Sequence, residues 1–125
     1  MKIEVSNGEI LDKLSILQIK STKFNDIYKL SNVENERRVL LPMYDLIATT
    51  SEIRQKFHDL ININSKLWDI EDMIRIKEQR KEFDEEFIEL ARSVYKTNDI
   101  RAEIKRDINL LSNSNLIEEK SYAEY

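Results

Sequence analysis

The chain has no cysteine, one glycine, one proline and one histidine among its 125 residues. Without thiols there is no disulfide framework, no thiolate zinc or iron–sulfur site and no cysteine nucleophile. His58 alone cannot furnish a multi-histidine metal site, and without a nucleophile partner it makes no triad. A single glycine excludes phosphate-cradling loops of the P-loop or dinucleotide type, and tight β-hairpins are equally undersupplied. No run approaches the roughly 18 apolar residues of a membrane span. The opening Met1-Lys2-Ile3-Glu4-Val5-Ser6 leads into Glu9, Asp12 and Lys13 instead of an apolar leader, so the expected location is the cytoplasm.

What is present is charge of both signs on an apolar framework. Lysine and arginine number 20 and aspartate and glutamate 24, a net charge of −4 that argues against a dedicated nucleic-acid-binding surface. The hydrophobic fraction of 41% accompanies a charged fraction of 35%, which excludes disorder by composition. The length suits one core, and residues 1–125 read as a single helical-bundle domain.

Helical periodicity dominates. Ile3-Glu4-Val5 is a possible very short strand. Ser6 and Glu9 form a capping box that opens a first helix. Along it Ile10, Leu14, Leu17, Phe24 and Tyr28 recur at helical steps beside a second line of Ile16, Ile19, Ile27 and Leu30. Ser31 and Glu34 repeat the capping box and predict a second helix that Pro42 kinks or divides. Thr49-Thr50-Ser51 predicts the cap of a long helix over residues 53–80, a rod of roughly 40 Å with Leu60, Ile63, Leu67, Ile70 and Ile74 as its core line. A fourth helix is expected from Asp84. Thr97-Asn98-Asp99 predicts a break, after which Ile100, Ile104, Ile108 and Leu111 mark a fifth. The expected fold class is therefore all-α, a bundle of four or five helices with one long central helix, ending in a tail in which Tyr122 and Tyr125 act as anchors.

Two polar constellations stand out. On the long helix Asn64, Trp68, Glu71, Arg75 and Glu78 follow at steps of four, three, four and three, with Asp72 beside them. They describe either a polar pocket, with Trp68 as a stacking surface, Glu71 and Asp72 as acceptors and Arg75 as an anion holder, or a half-exposed face with an ion pair of about 0.3–0.5 kcal/mol. The second constellation is Asn98, Asp99, Arg101 and Lys105. It reads either as N-caps followed by a solvated basic face or as an anion clamp near a helix start. Glu9, Asp12 and Lys13 crowd a first turn, where acids are favoured electrostatically without any further purpose. Glu86 and Glu89 fit half of the acidic pattern of a metal-dependent pyrophosphate hydrolase, but Glu103 and Asp107 have the wrong spacing for the other half.

Strings that span nearly the whole chain resemble an uncharacterised family of small helical proteins of bacteria and phages. They are residues 3–17 (Ile3 to Leu17), residues 67–75 (Leu67 to Arg75), residues 94–106 (Val94 to Arg106) and Glu118-Glu119-Lys120-Ser121-Tyr122. Gln18 departs from the glutamate usual there, and Asn113-Ser114 from Gly-Ser. The resemblance brings no activity with it. It implies proximity to surface-polysaccharide assembly genes, and hence a sugar, nucleotide-sugar or glycosyltransferase partner by association.

The expected function is a binding or assembly module whose pocket takes an anionic small molecule (a sugar phosphate, nucleotide or nucleotide-sugar) or a protein partner. Its expected ligand-binding residues are Asn64, Trp68, Glu71, Asp72, Arg75, Asn98, Asp99, Arg101 and Lys105, with no resident cofactor or metal. One alternative is a small metal-dependent enzyme acting on a phosphorylated or nucleotide substrate, with Glu71 or Asp72 as base or Mg²⁺ ligand and Arg75, Arg101 and Lys105 as anion clamps. Another is a structural homo-oligomer built on the long helix.

Overall fold

A computed structural model describes residues 1–125 as four helices and no strand: α1 (Asn7–Lys23), α2 (Ile27–Ile47), α3 (Ser51–Gln79) and α4 (Glu85–Leu111). Met1 to Ser6 are irregular, so the short alternation at Ile3-Glu4-Val5 forms no strand; three residues with no partner strand have nothing to pair with.

Each helix start has a side-chain cap. Ser6 Oγ accepts from the Glu9 amide at 3.2 Å, but the Glu9 carboxylate does not complete the capping box and turns to Lys105 Nζ at 2.7 Å. Asp26 caps α2 by accepting from the Tyr28 and Lys29 amides at 2.8 and 3.0 Å, so α2 begins one turn before the predicted Ser31. Pro42 lies inside α2 without dividing it, because it sits on the exposed side where the carbonyl deprived of a donor meets water. Thr50 caps α3, a 29-residue helix about 43 Å long. α3 ends in a Schellman motif: the Lys81 amide bonds the Glu78 carbonyl, the Glu82 amide bonds the Lys77 carbonyl, and Lys81 adopts φ 55°. Lys77 Nζ then reaches Asp84, the cap of α4, at 2.9 Å and Glu82 and Glu86 at 3.3 Å each, clipping the two long helices together. These bonds raise the Lys77 pKa and lower that of Asp84.

α4 is continuous through Thr97-Asn98-Asp99, so the bundle has four helices and Asn98 and Asp99 are not caps. Tertiary partners override their local preference for a helix start: Thr97 is buried against the bundle, Asn98 faces a groove, and Asp99 accepts from the Tyr125 hydroxyl at 2.7 Å.

α3 and α4 make the most extensive helix–helix contact, α1 packs against both of them, and α2 packs chiefly against α1. The core joins Leu11, Leu14, Ile47, Ala48, Ile53, Leu60, Ile104 and Ile108 from all four helices and the turn after α2. Each fully buried Leu or Ile in it contributes about 1.5–3 kcal/mol. Gly8 permits the close approach of α1 to α4. A Cβ there would run into the Lys105 carbonyl and lie 2.9 Å from Asn109 Oδ1. Three of the backbone donors at the start of α1 are taken: the Asn7 amide by Ser114 Oγ at 3.0 Å, the Gly8 amide by Asn109 Oδ1 at 2.6 Å and the Glu9 amide by Ser6 Oγ at 3.2 Å.

Candidate functional site

Along α1 the residues Gly8, Asp12, Ser15 and Ile19 succeed one another at steps of four, three and four and are all buried. Three of the four are small or polar, so this line carries polar chemistry into the contact with α3 and α4. Asp12 is 1% exposed. Its Oδ1 accepts from Asn64 Nδ2 and from Arg101 Nε, each at 2.9 Å, and its Oδ2 accepts from Arg101 Nη2. Asn64 Nδ2 also donates to Ser15 Oγ at 2.8 Å, and the Ser15 hydroxyl donates to the Asp12 carbonyl at 2.6 Å. Every buried polar side-chain atom of the protein is satisfied. The forked pair with Asp12 raises the Arg101 pKa above its ordinary value, so Arg101 is charged at every accessible pH.

Two members of this network, Asn64 and Arg101, line a groove of about 400 Å³ between α1, α3 and α4, with Asp12 and Ser15 buried behind them. Ile16, Ile19, Leu67 and Trp68 provide its apolar wall and Asn64, Glu71, Asp72, Arg75, Asn98 and Arg101 its polar one. Trp68 is braced by Phe24 at the end of α1, with ring centroids 6.0 Å apart and planes tilted by 56°. Its indole N–H makes no hydrogen bond within the chain, nor do the amide groups of Asn98. Arg75 Nε lies 3.5 Å from Glu71 Oε2, and its side chain is 78% exposed, so this pair holds Arg75 weakly and leaves it free to exchange partners. Arg101 differs: two of its five N–H groups are fixed on Asp12 and the other three have no partner in the chain. It is a planar donor held in one orientation at the wall of the groove.

Seven of the nine residues singled out in the sequence thus meet around one concavity: Asn64, Trp68, Glu71, Asp72, Arg75, Asn98 and Arg101. The other two lie elsewhere. Asp99 faces the tail, where Tyr125 bonds it and stacks edge-on against Tyr95 at 5.2 Å. The bond to Asp99 holds the Tyr125 hydroxyl above its usual pKa. Lys105 is 8% exposed and committed to Glu9 at 2.7 Å and Glu118 at 3.6 Å, which ties α1, α4 and the tail together. Arg101 and Lys105 therefore do not act as one anion clamp.

Asp12 and Ser15 are the residues that sequence reasoning missed. Asp12 is not a first-turn acid favoured by the helix dipole but the buried partner of Arg101. The signal was its phase: it shares a line with Gly8, Ser15 and Ile19, and a carboxylate on a buried line needs a cation from elsewhere in the fold. No three His, Asp or Glu side chains converge as a metal-binding group. Glu86 is drawn to Lys77, Glu89 pairs with Arg92 at 3.0 Å, and Asp107 pairs with Lys56 at 3.0 Å. No helix is long and apolar enough to cross a membrane.

No curated protein and no solved structure matches the chain. The model of one protein family, DUF6165, matches residues 1–125 from end to end, and the chain belongs to this family of unknown function.

Proposed function

We propose that the protein is a binding module whose α1–α3–α4 groove takes a small molecule carrying both an anionic group and a ring, of the sugar phosphate, nucleotide or nucleotide-sugar class. The observation that carries this reading is the fixation of Arg101 by buried Asp12, which leaves three charged N–H donors without partners on the wall of a groove that also holds Trp68. A phosphate or carboxylate suits a preoriented guanidinium, since the ordering cost has been met in folding. Arg75 supplies a second cation, because an incoming anion has only an exposed pair with Glu71 to displace. Trp68 offers a face for a sugar or base, and Asp72 and Asn98 are placed to bond hydroxyls. The family resemblance supports the same class, as a cytoplasmic protein of bacteria or their phages serving surface-polysaccharide assembly.

A thermal-shift panel of sugar phosphates, nucleotides, nucleotide-sugars and divalent metals, run on the wild type and Arg75→Ala, tests the proposal. A ligand at about a hundred times its dissociation constant adds about 2.7 kcal/mol of apparent stability. The expected result is a phosphorylated ligand whose shift disappears in Arg75→Ala. Stabilisation that requires Mg²⁺ and is lost in Glu71→Gln or Asp72→Asn would replace the module with a metal-dependent enzyme. No shift from any compound would overturn the small-molecule reading in favour of a protein partner.

A further inference from the structure

Asn64 has one polar atom that the fold leaves over. Its neighbours fix which atom this is: the one facing Asp12 Oδ1 at 2.9 Å and Ser15 Oγ at 2.8 Å is the nitrogen, because a carboxylate only accepts and the Ser15 hydroxyl donates to the Asp12 carbonyl. Both N–H groups of the amide are thereby spent. The other atom, Oδ1, accepts from no group of the chain, yet no unbonded side-chain nitrogen or oxygen is sealed inside the protein. Asn64 is 5% exposed and lines the groove, so its small opening includes Oδ1. A nearly buried acceptor thus meets the groove without a donor.

Arg101 stands beside it. Asp12 Oδ1 holds Asn64 Nδ2 and Arg101 Nε at the same 2.9 Å, so the two side chains adjoin at the groove wall, one short of a donor and the other with three N–H groups to give. Asp72 and the Asn98 amide continue this mixture of donors and acceptors around the groove. A phosphate alone satisfies only the donors, since its oxygens accept and would meet Asn64 Oδ1 and the Asp72 carboxylate lone pair to lone pair. A hydroxyl satisfies both kinds, because it donates and accepts. A nucleobase edge has few donating groups, whereas a hexose carries several hydroxyls around a ring whose apolar C–H face can lie on Trp68.

Resting on the small-molecule reading of the groove, we propose that Asn64 determines specificity: its Oδ1 takes a hydrogen bond from a hydroxyl of a sugar ring whose anionic group faces the free N–H groups of Arg101. Of sugar phosphates, nucleotides and nucleotide-sugars, this selects ligands held through the sugar over a nucleotide held through its base. A site built around an unpaired buried acceptor rejects an analogue that lacks the matching hydroxyl.

Trp68 fluorescence titrations of the full chain test this with the 1- and 6-phosphates of glucose, galactose and mannose, the monodeoxy analogues of each, and uridine and adenosine monophosphates. At least one hexose phosphate is expected to bind, and removal of one particular hydroxyl is expected to weaken it at least about tenfold in the wild type. The same removal should cost less than about threefold in Asn64→Leu, where the hydroxyl has already lost its partner. Asn64→Ser, which keeps a polar group near Asp12 but falls short of the groove, gives the same comparison should Asn64→Leu not fold. If Asn64 only holds Asp12 in place, its variants weaken the parent and deoxy ligands by equal factors, and that result overturns the proposal. Monodeoxy analogues that all bind the wild type as well as their parents overturn it too. Binding of the nucleotides without any hexose phosphate overturns the assignment to Asn64 and leaves the groove a small-molecule site, whereas silence from every compound removes both.

Discussion

Replacing Arg101 with methionine removes two charge-assisted hydrogen bonds from a carboxylate that is 1% exposed and leaves Asp12 with Asn64 as its remaining side-chain partner. An uncompensated buried charge of this kind costs about 3–5 kcal/mol. At about 2.1 cal/mol/K per residue, the unfolding entropy of a 125-residue chain makes each kcal/mol worth about 4 °C, so Tm should fall by roughly 12–19 °C. Asp12→Asn should cost less, about 1–3 kcal/mol, because the Arg101 side chain is 29% exposed and regains water on the groove side. The double variant Asp12→Asn/Arg101→Met no longer buries an unpaired charge and should be less destabilised than the sum of the single changes by about 1–3 kcal/mol. Urea denaturation of the four proteins measures this cycle. A loss below 1 kcal/mol in Arg101→Met, with additive single changes, would falsify the argument that Asp12 fixes Arg101.

Other expectations follow from single positions. Gly8→Ala should lower stability by about 1–3 kcal/mol in the same urea assay, since its methyl group meets the Lys105 backbone and Asn109. Lys81→Gly should raise it by about 1 kcal/mol, because φ 55° costs glycine nothing, and a higher urea midpoint with an unchanged m-value would show this. Tyr125 donates to Asp99 only while protonated, and its pKa is raised. The stabilisation is therefore complete below the ordinary tyrosine pKa of about 10 and is lost as pH rises through the raised value. Proteolysis of the tail should accelerate over that alkaline range in the wild type, whereas Tyr125→Phe should be cut rapidly at neutral pH as well. Asp84 has the opposite sign: its pKa is lowered by Lys77 and the Phe87 amide, so its contribution is present above the ordinary carboxylate range and fades as pH falls through the lowered value. Acid titration of Asp84→Asn against the wild type by circular dichroism should show that difference.

The polar line on α3 was legible because helical periodicity alone puts Asn64, Trp68, Glu71 and Arg75 on one side, and the apolar line beside it says which side is shared with the bundle. Its partners were only half legible. Arg101 and Lys105 are equivalent at an i, i+4 spacing, and what separates them is Asp12 under one and Glu9 beside the other, both on α1. Asp12 had a sufficient local explanation as an acid near a helix start, which concealed its long-range one. The misread boundaries have the same origin. Ser31 and Thr97-Asn98-Asp99 carry the local chemistry of helix starts, yet Asp26 already caps α2, and the partners of Thr97, Asn98 and Asp99 lie in the bundle, the groove and the tail.

Trp68 is the only tryptophan and lines the groove, so its fluorescence reports occupancy directly. Titrations with a hexose phosphate, a nucleotide and a nucleotide-sugar should give a saturable change for at least one. That ligand should bind at least tenfold more weakly to Arg75→Ala, and its phosphate-free analogue should bind the wild type correspondingly less. Equal affinity for the phosphorylated and neutral forms, or no response of Trp68 to any of the three, would contradict the account.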